Sequence, residues 1–132
     1  MRIALDTNVL VRYLTWDDDI QSPLAAKAIE DAETIMVSAI VLCETVWVLE
    51  RAYKLKAEEI ANTLRAFVES ETVAVDRPLA EAGLAALEDG GDFADGLILF
   101  EADRAKVDQL VTFDQQFSKR AKSRRLRLLD QI

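Results

Sequence analysis

Short β-branched runs alternate with helix-length amphipathic segments along this chain, and that alternation limits the fold more than any other feature. Arg2 to Leu5, Thr34 to Val37, Thr72 to Val75, Val107 to Thr112 and Leu126 to Leu129 read as strands. Between them lie segments predicted as helices: Val9 to Leu14, Pro23 to about Ala32, Ala39 to Tyr53, Ala57 to Val68, Leu79 to Leu87, Asp92 to Asp103 and Gln115 to Ala121. Strands joined by helices pair in parallel, because a parallel pair needs a long crossover. The expectation is one α/β domain over residues 1–132. Its mainly parallel central sheet would be covered by helices on both faces, in three α/β/α layers.

Local signals sharpen the helix ends. Thr7 or Asn8 starts the first helix, and Ser22-Pro23 reads as an N-cap followed by Pro at the first helical position. Leu24, Ala28 and Ile29 are expected to face inward. Ser38 caps the Ala39 helix, and Asp89-Gly90-Gly91 ends the helix before it. Ile60, Leu64, Phe67 and Val68 fall at helical spacing on one face.

Composition closes off whole classes of chemistry. The chain has no histidine, which removes Ser-His-Asp, Cys-His and other imidazole acid–base catalysis. Cys43 is the single cysteine, so an internal disulfide and a cysteine-rich zinc site are both excluded. Its apolar neighbours suggest a buried thiol. The longest uncharged run, Thr34 to Cys43, is too short to span a bilayer. No signal peptide is apparent after Met1, so a cytoplasmic protein without membrane contact is expected.

The net charge of −8 argues against a nucleic-acid partner only on average. Lys119, Arg120, Lys122, Arg124, Arg125 and Arg127 form a basic block near the C-terminus, while Asp17-Asp18-Asp19 is acidic. The block reads either as a solvated helix and turn or as a phosphate-contacting patch.

The acids stand in informative places. Asp6 closes the first strand, and Asp114 follows the strand ending in Thr112. In parallel sheets ligands bind beyond these carboxyl ends. Asp92 and Asp95 open an apolar helical segment. Capping alone is a competing account for Asp6, Asp92 and Asp114. Glu44 is the only charge between Ala39 and Leu49, on a helix that looks apolar nearly all round. An unpaired carboxylate buried there would cost several kcal/mol or bind a proton, so it needs a cation, a donor network or an exposed window, with a salt bridge to an arginine as the structural alternative. Together these carboxylates, without imidazole, suit a hard cation such as Mg²⁺ or Mn²⁺.

The order Leu5-Asp6-Thr7-Asn8-Val9-Leu10, Ser38-Ala39 leading to Glu44, Asp92-Phe93-Ala94-Asp95-Gly96-Leu97-Ile98 and Val111-Thr112-Phe113-Asp114 resembles the PIN-domain family. It is most similar to the VapC-type toxins of bacterial toxin–antitoxin pairs, and the resemblance spans essentially the whole chain. It implies a compact PIN-like fold with a metal-dependent endoribonuclease site. Asp6, Glu44 and Asp95 match the family's three core acids, Asp114 the usual fourth, and Asp92 an acid often found one turn earlier. Thr7, Asn8 and Thr112 match polar positions beside the ligands. The resemblance also implies an RNA substrate (tRNA, rRNA or mRNA), a cognate VapB-type antitoxin and a homodimer. Lys119, Arg120, Lys122, Arg124 and Arg125 would hold the RNA backbone. Tyr13 and Trp16 are candidates for base stacking, with burial as the competing role.

Two other classes of function compete with this reading. An aspartate phosphotransferase or receiver domain would need a second acid near Asp6 that Thr7-Asn8 does not provide. A pure binding protein would use the apolar Glu44 helix and the apolar side of Ile20 to Ala32 as interfaces.

Overall fold

The computed structural model describes residues 1–121 and 125–130. In chain order they form β1 (Arg2–Ala4), α1 (Thr7–Thr15), α2 (Gln21–Asp31), β2 (Thr34–Met36), α3 (Ala39–Arg51) and α4 (Ala57–Val68). There follow β3 (Val73–Ala74), α5 (Arg77–Glu88), α6 (Phe93–Arg104), β4 (Leu110–Thr112), α7 (Gln115–Ala121) and β5 (Leu126–Leu128). Two helices fill each of the first three crossovers, and every strand pairing among the described residues is parallel. The α/β class and its parallel strands are as the alternation predicts.

The ladders are arranged in two pieces. β1, β2 and β3 lie side by side, with Ile3 opposite Ile35 and Ile35 opposite Val73. β4 and β5 pair only with each other among the described residues. Ile35 and Val73 are buried against the helices, whereas the alternate row Ala4, Met36 and Ala74 is exposed.

Side-chain caps set several helix starts. Ser38 accepts the N–H of Val41 at 3.3 Å, and Asp76 accepts that of Leu79 at 3.3 Å. At the first helix the cap is Asp6, one residue before Thr7. At α2 the expected Ser22 cap is wrong. Asp18 Oδ1 accepts the N–H groups of Ile20 at 3.0 Å and Gln21 at 2.7 Å, and Ser22 is fully buried inside the helix.

This earlier start explains a second correction. Ser22, Ala25, Ala26 and Ile29 face inward, while Leu24 and Ala28 are exposed. Small residues on the inner face let α2 pack closely on α1, and the larger Leu24 is left outside.

The core runs through Leu10, Ile35, Val46, Leu49, Ile60, Leu64, Leu84, Leu87 and Phe93, all nearly inaccessible. α5 and α6 make the most extensive helix pair. Their approach depends on Gly96: a Cβ there would lie 2.7 Å from the carbonyl oxygen of Ala82 and 3.0 Å from the Cα of Gly83. Gly90, with φ of +86°, supplies the left-handed turn between them. That close crossing fixes the start of α6, where Asp92 and Asp95 stand. Among the described residues no helix is long and apolar enough to cross a membrane.

Candidate active site

Asp6 lies just past β1 at the start of α1. Its Oδ1 accepts the N–H of Thr7 at 2.8 Å, so capping is part of its role, and its side chain remains exposed at the carboxyl end of the strand. Thr7 turns inward and is nearly buried. Its hydroxyl donates to Oε1 of Glu44 at 2.8 Å, tying α1 to the middle of α3.

Glu44 itself is exposed, so of the expected alternatives the exposed window holds, and the helix is not buried all round. α3 buries Val41, Leu42, Thr45, Val46 and Leu49 and turns a second stripe outward, on which Ile40 is 71% and Trp47 58% exposed. The apolar composition of α3 hides this division. Glu44 needs no arginine partner, because water and the Thr7 hydroxyl solvate it.

Asp92 caps α6, accepting the N–H of Asp95 at 3.2 Å. Asp95 is half-buried one turn in. Burial first, then the charges of Asp92 and Asp114, push its carboxyl above the usual value. Asp114 caps α7 by accepting the N–H of Phe117 at 3.0 Å, while the Thr112 hydroxyl accepts the Asp114 N–H at 3.0 Å. Thr112 thus sets the backbone from which Asp114 projects.

These residues border two adjoining hollows. One, of about 550 Å³, is lined by Asp6, Thr7, Asn8, Glu44, Glu50, Trp47 and Asp92. The other, of about 420 Å³, is lined by Asp92, Asp95 and Asp114 together with Gly96, Phe117 and Arg120. Asp92 belongs to both. Its charge also raises the Glu50 carboxyl and the half-buried Cys43 thiol, in each case after a larger contribution from burial. Asp92 therefore sits between the two groups.

Three arginines of the basic block are engaged with the protein. Arg120 donates to the Gly90 carbonyl, Arg125 donates to Val107 at 3.1 Å and lies 3.8 Å from Asp103, and Arg127 donates to Gln109 at 3.3 Å. Lys119 is exposed on α7. Lys122 and Arg124 lie outside the described residues. Of the two aromatic candidates, Tyr13 packs edge-on against Phe67, with ring centroids 6.0 Å apart. Trp16 is exposed at the end of α1 and lines neither hollow. Sequence reasoning missed Trp47 and Glu50. The signal for Trp47 was available: it follows Glu44 by three residues and so shares its helix face.

The donor set fits a hard divalent ion by its chemistry, since it consists of carboxylate oxygens with hydroxyls behind them. The raised Asp95 marks a place where positive charge relieves repulsion. Among the described residues no three acids or cysteines are gathered into a ready metal cage. The carboxylates stand as two groups joined through Asp92.

The PIN-domain model matches residues 3–123 of this chain. Among solved structures, the chain is similar to Mycobacterium tuberculosis VapC20, described as a toxin that cleaves the sarcin–ricin loop. The two are 19% identical, the match covers 90% of this chain and 94% of that one, and the TM-score is 0.45. No curated protein sequence matches the chain.

Proposed function

The chain belongs to the PIN-domain family, and we propose that it is a divalent-metal-dependent endoribonuclease, the toxin of a toxin–antitoxin pair. The observation that carries the reading is that Asp6, Glu44, Asp92, Asp95 and Asp114, from distant parts of the chain, line two hollows that share Asp92. No histidine is present to do acid–base work, so a metal ion is the economical source of catalytic power.

Asp6 and Asp95 would be the central holders of Mg²⁺ or Mn²⁺, with Glu44, Asp114 and Asp92 as further ligands that complete or tune the set. Bound there, the ion supplies polarisation of a phosphoryl oxygen and a water of lowered pKa. The chain's own residues do the rest. Thr7 holds the Glu44 carboxylate, Thr112 sets Asp114, and Asn8 offers an amide at the rim of the larger hollow. Arg120, beside Asp92, Asp95 and Asp114, is the basic-block residue best placed to meet a phosphate. Lys119, Lys122, Arg124 and Arg125 remain candidates for the RNA backbone.

The substrate is RNA, drawn from tRNA, rRNA or mRNA, and the partners are a VapB-type antitoxin and a second copy of the chain. Purified protein freed of antitoxin should cut total cellular RNA into discrete fragments in Mg²⁺ or Mn²⁺. Both EDTA and Asp6→Asn should abolish those fragments. Cleavage that survives both would refute the metal-carboxylate assignment.

A further inference from the structure

The outward side chains of α3 run in a line from the acidic hollow to the helix's C-terminal end. Glu44, Trp47 and Arg51 are three and four residues apart and share a face. Glu44 and Trp47 line the hollow that also holds Asp6 and Asp92. The Arg51 guanidinium lies 5.4 Å from the Trp47 ring centroid, and this cation–π contact steadies the indole. Even so, Trp47 stays 58% exposed, although it sits on the helix that supplies much of the core. Lys54 and Lys56 follow in the connection after α3, both exposed like Arg51. Among the described residues none of these three cations forms a salt bridge, in a chain of net charge −8.

We propose that Trp47 and Arg51 form a nucleotide subsite of the endoribonuclease, an assignment that rests on that reading of the acidic site. The indole stacks on one base of a single-stranded segment whose neighbouring phosphate lies at the carboxylates. Arg51, with Lys54 and Lys56 beyond it, takes the phosphates that follow. An exposed aromatic ring with cations close by is the pattern by which proteins hold single strands. It does not match the centre of a protein interface, where charged residues are depleted. The C-terminal arginines Arg120, Arg125 and Arg127 do not line the hollow that holds Trp47.

The test is anisotropy binding of a short fluorescein-labelled single-stranded oligoribonucleotide to the Asp6→Asn protein, which prevents cleavage. Adding Trp47→Ala should weaken binding about tenfold, and Trp47→Phe should restore most of it. Trp16→Ala should leave it unchanged. The Trp47 effect should disappear with an abasic version of the same probe. Arg51→Ala should reduce the slope of log affinity against log salt by about 0.7.

Unchanged affinity in Trp47→Ala, or a loss equally large on the abasic probe, overturns the subsite. A change of oligomeric state at constant RNA affinity overturns it too, and assigns this face to a second copy. In each of those cases cleavage by the parent leaves the endoribonuclease reading standing. If the parent cuts no RNA and Asp6→Asn binds none, that reading falls and the subsite falls with it. Melting of Trp47→Ala and Trp47→Phe beside the parent separates unfolding from lost stacking.

Discussion

The Thr7 hydroxyl donates to Oε1 of Glu44 at 2.8 Å across 37 positions of chain. One bond thus couples the residue after Asp6 to the acid on α3, and both line the same hollow. Thr7 is nearly buried, whereas Glu44 is exposed, so the bond orients the carboxylate more than it stabilises the fold.

Thr7→Val keeps the shape of the buried side chain and removes the donor. Because Glu44 can turn to water, the stability loss should be small, about 1 kcal/mol. RNA cleavage should fall by roughly tenfold or more, since misplacing a site group by a fraction of its reach is costly. Thermal melting and initial cleavage rates, measured on one preparation, check this. A rate equal to the parent's would show that Glu44 needs no orientation.

Gly96→Ala should damage both fold and site. Alanine would gain about 1 kcal/mol of helix propensity. Its Cβ would meet the Ala82 carbonyl oxygen at 2.7 Å, a backbone atom that cannot swing aside. Overpacking of that kind costs about 1–3 kcal/mol, so the clash should win. α6 would shift with Asp92 and Asp95 on it. The expected result is a lower melting temperature together with lost cleavage.

Asp95→Asn should separate stability from activity. The folded protein holds the Asp95 carboxyl above its ordinary value through burial and then through Asp92 and Asp114. The ionised form is therefore disfavoured by folding, and Asp95 destabilises the protein at neutral pH. Removing the charge should raise the melting temperature by roughly 1–2 °C while abolishing cleavage. Mg²⁺ should raise the melting temperature of the parent more than that of the variant. An equal rise in both would count against Asp95 as a ligand.

Acid should act on the ion pairs away from the site. Asp76 accepts bonds from Arg104 at 2.7 and 3.0 Å, and these hold its carboxyl below the ordinary 3.8. Bonds from Arg65 do the same for Glu88 relative to 4.5. A depressed folded pKa means stability that is present above the unfolded value and lost as pH falls through the folded one. Asp76→Asn, which still offers a capping oxygen, should melt below the parent at pH 7. That gap should close as the pH falls below 3.8. A gap that persists in acid would show that the variant had lost packing rather than an ion pair.

Much of this protein is written locally. α4 runs from Ala57 to Val68 and α7 from Gln115 to Ala121, as periodicity and propensity alone predict. Ser38 and Asp92 cap the helices they precede because their side chains reach N–H groups only a few residues away. The strand runs, the parallel pairing and the exclusion of imidazole and disulfide chemistry follow from composition and spacing. The order of the acids also suffices to recognise the family, because it is a one-dimensional pattern.

What tertiary structure decided is whatever depends on which face meets a neighbour. Periodicity placed Leu24 and Ala28 inward, but the close approach of α1 selects the small face of Ser22, Ala25 and Ala26. Helical spacing puts Trp47 and Glu44 on one stripe of α3, but only packing decides that this stripe is exposed, because the other side alone meets the core. The position of Asp92 between two hollows depends on the crossing of α5 and α6 at Gly83 and Gly96, a contact with no local signature. Local hydrogen bonds and propensities act over a few residues and can be read in order; packing is settled between segments far apart, by the shapes they present to each other.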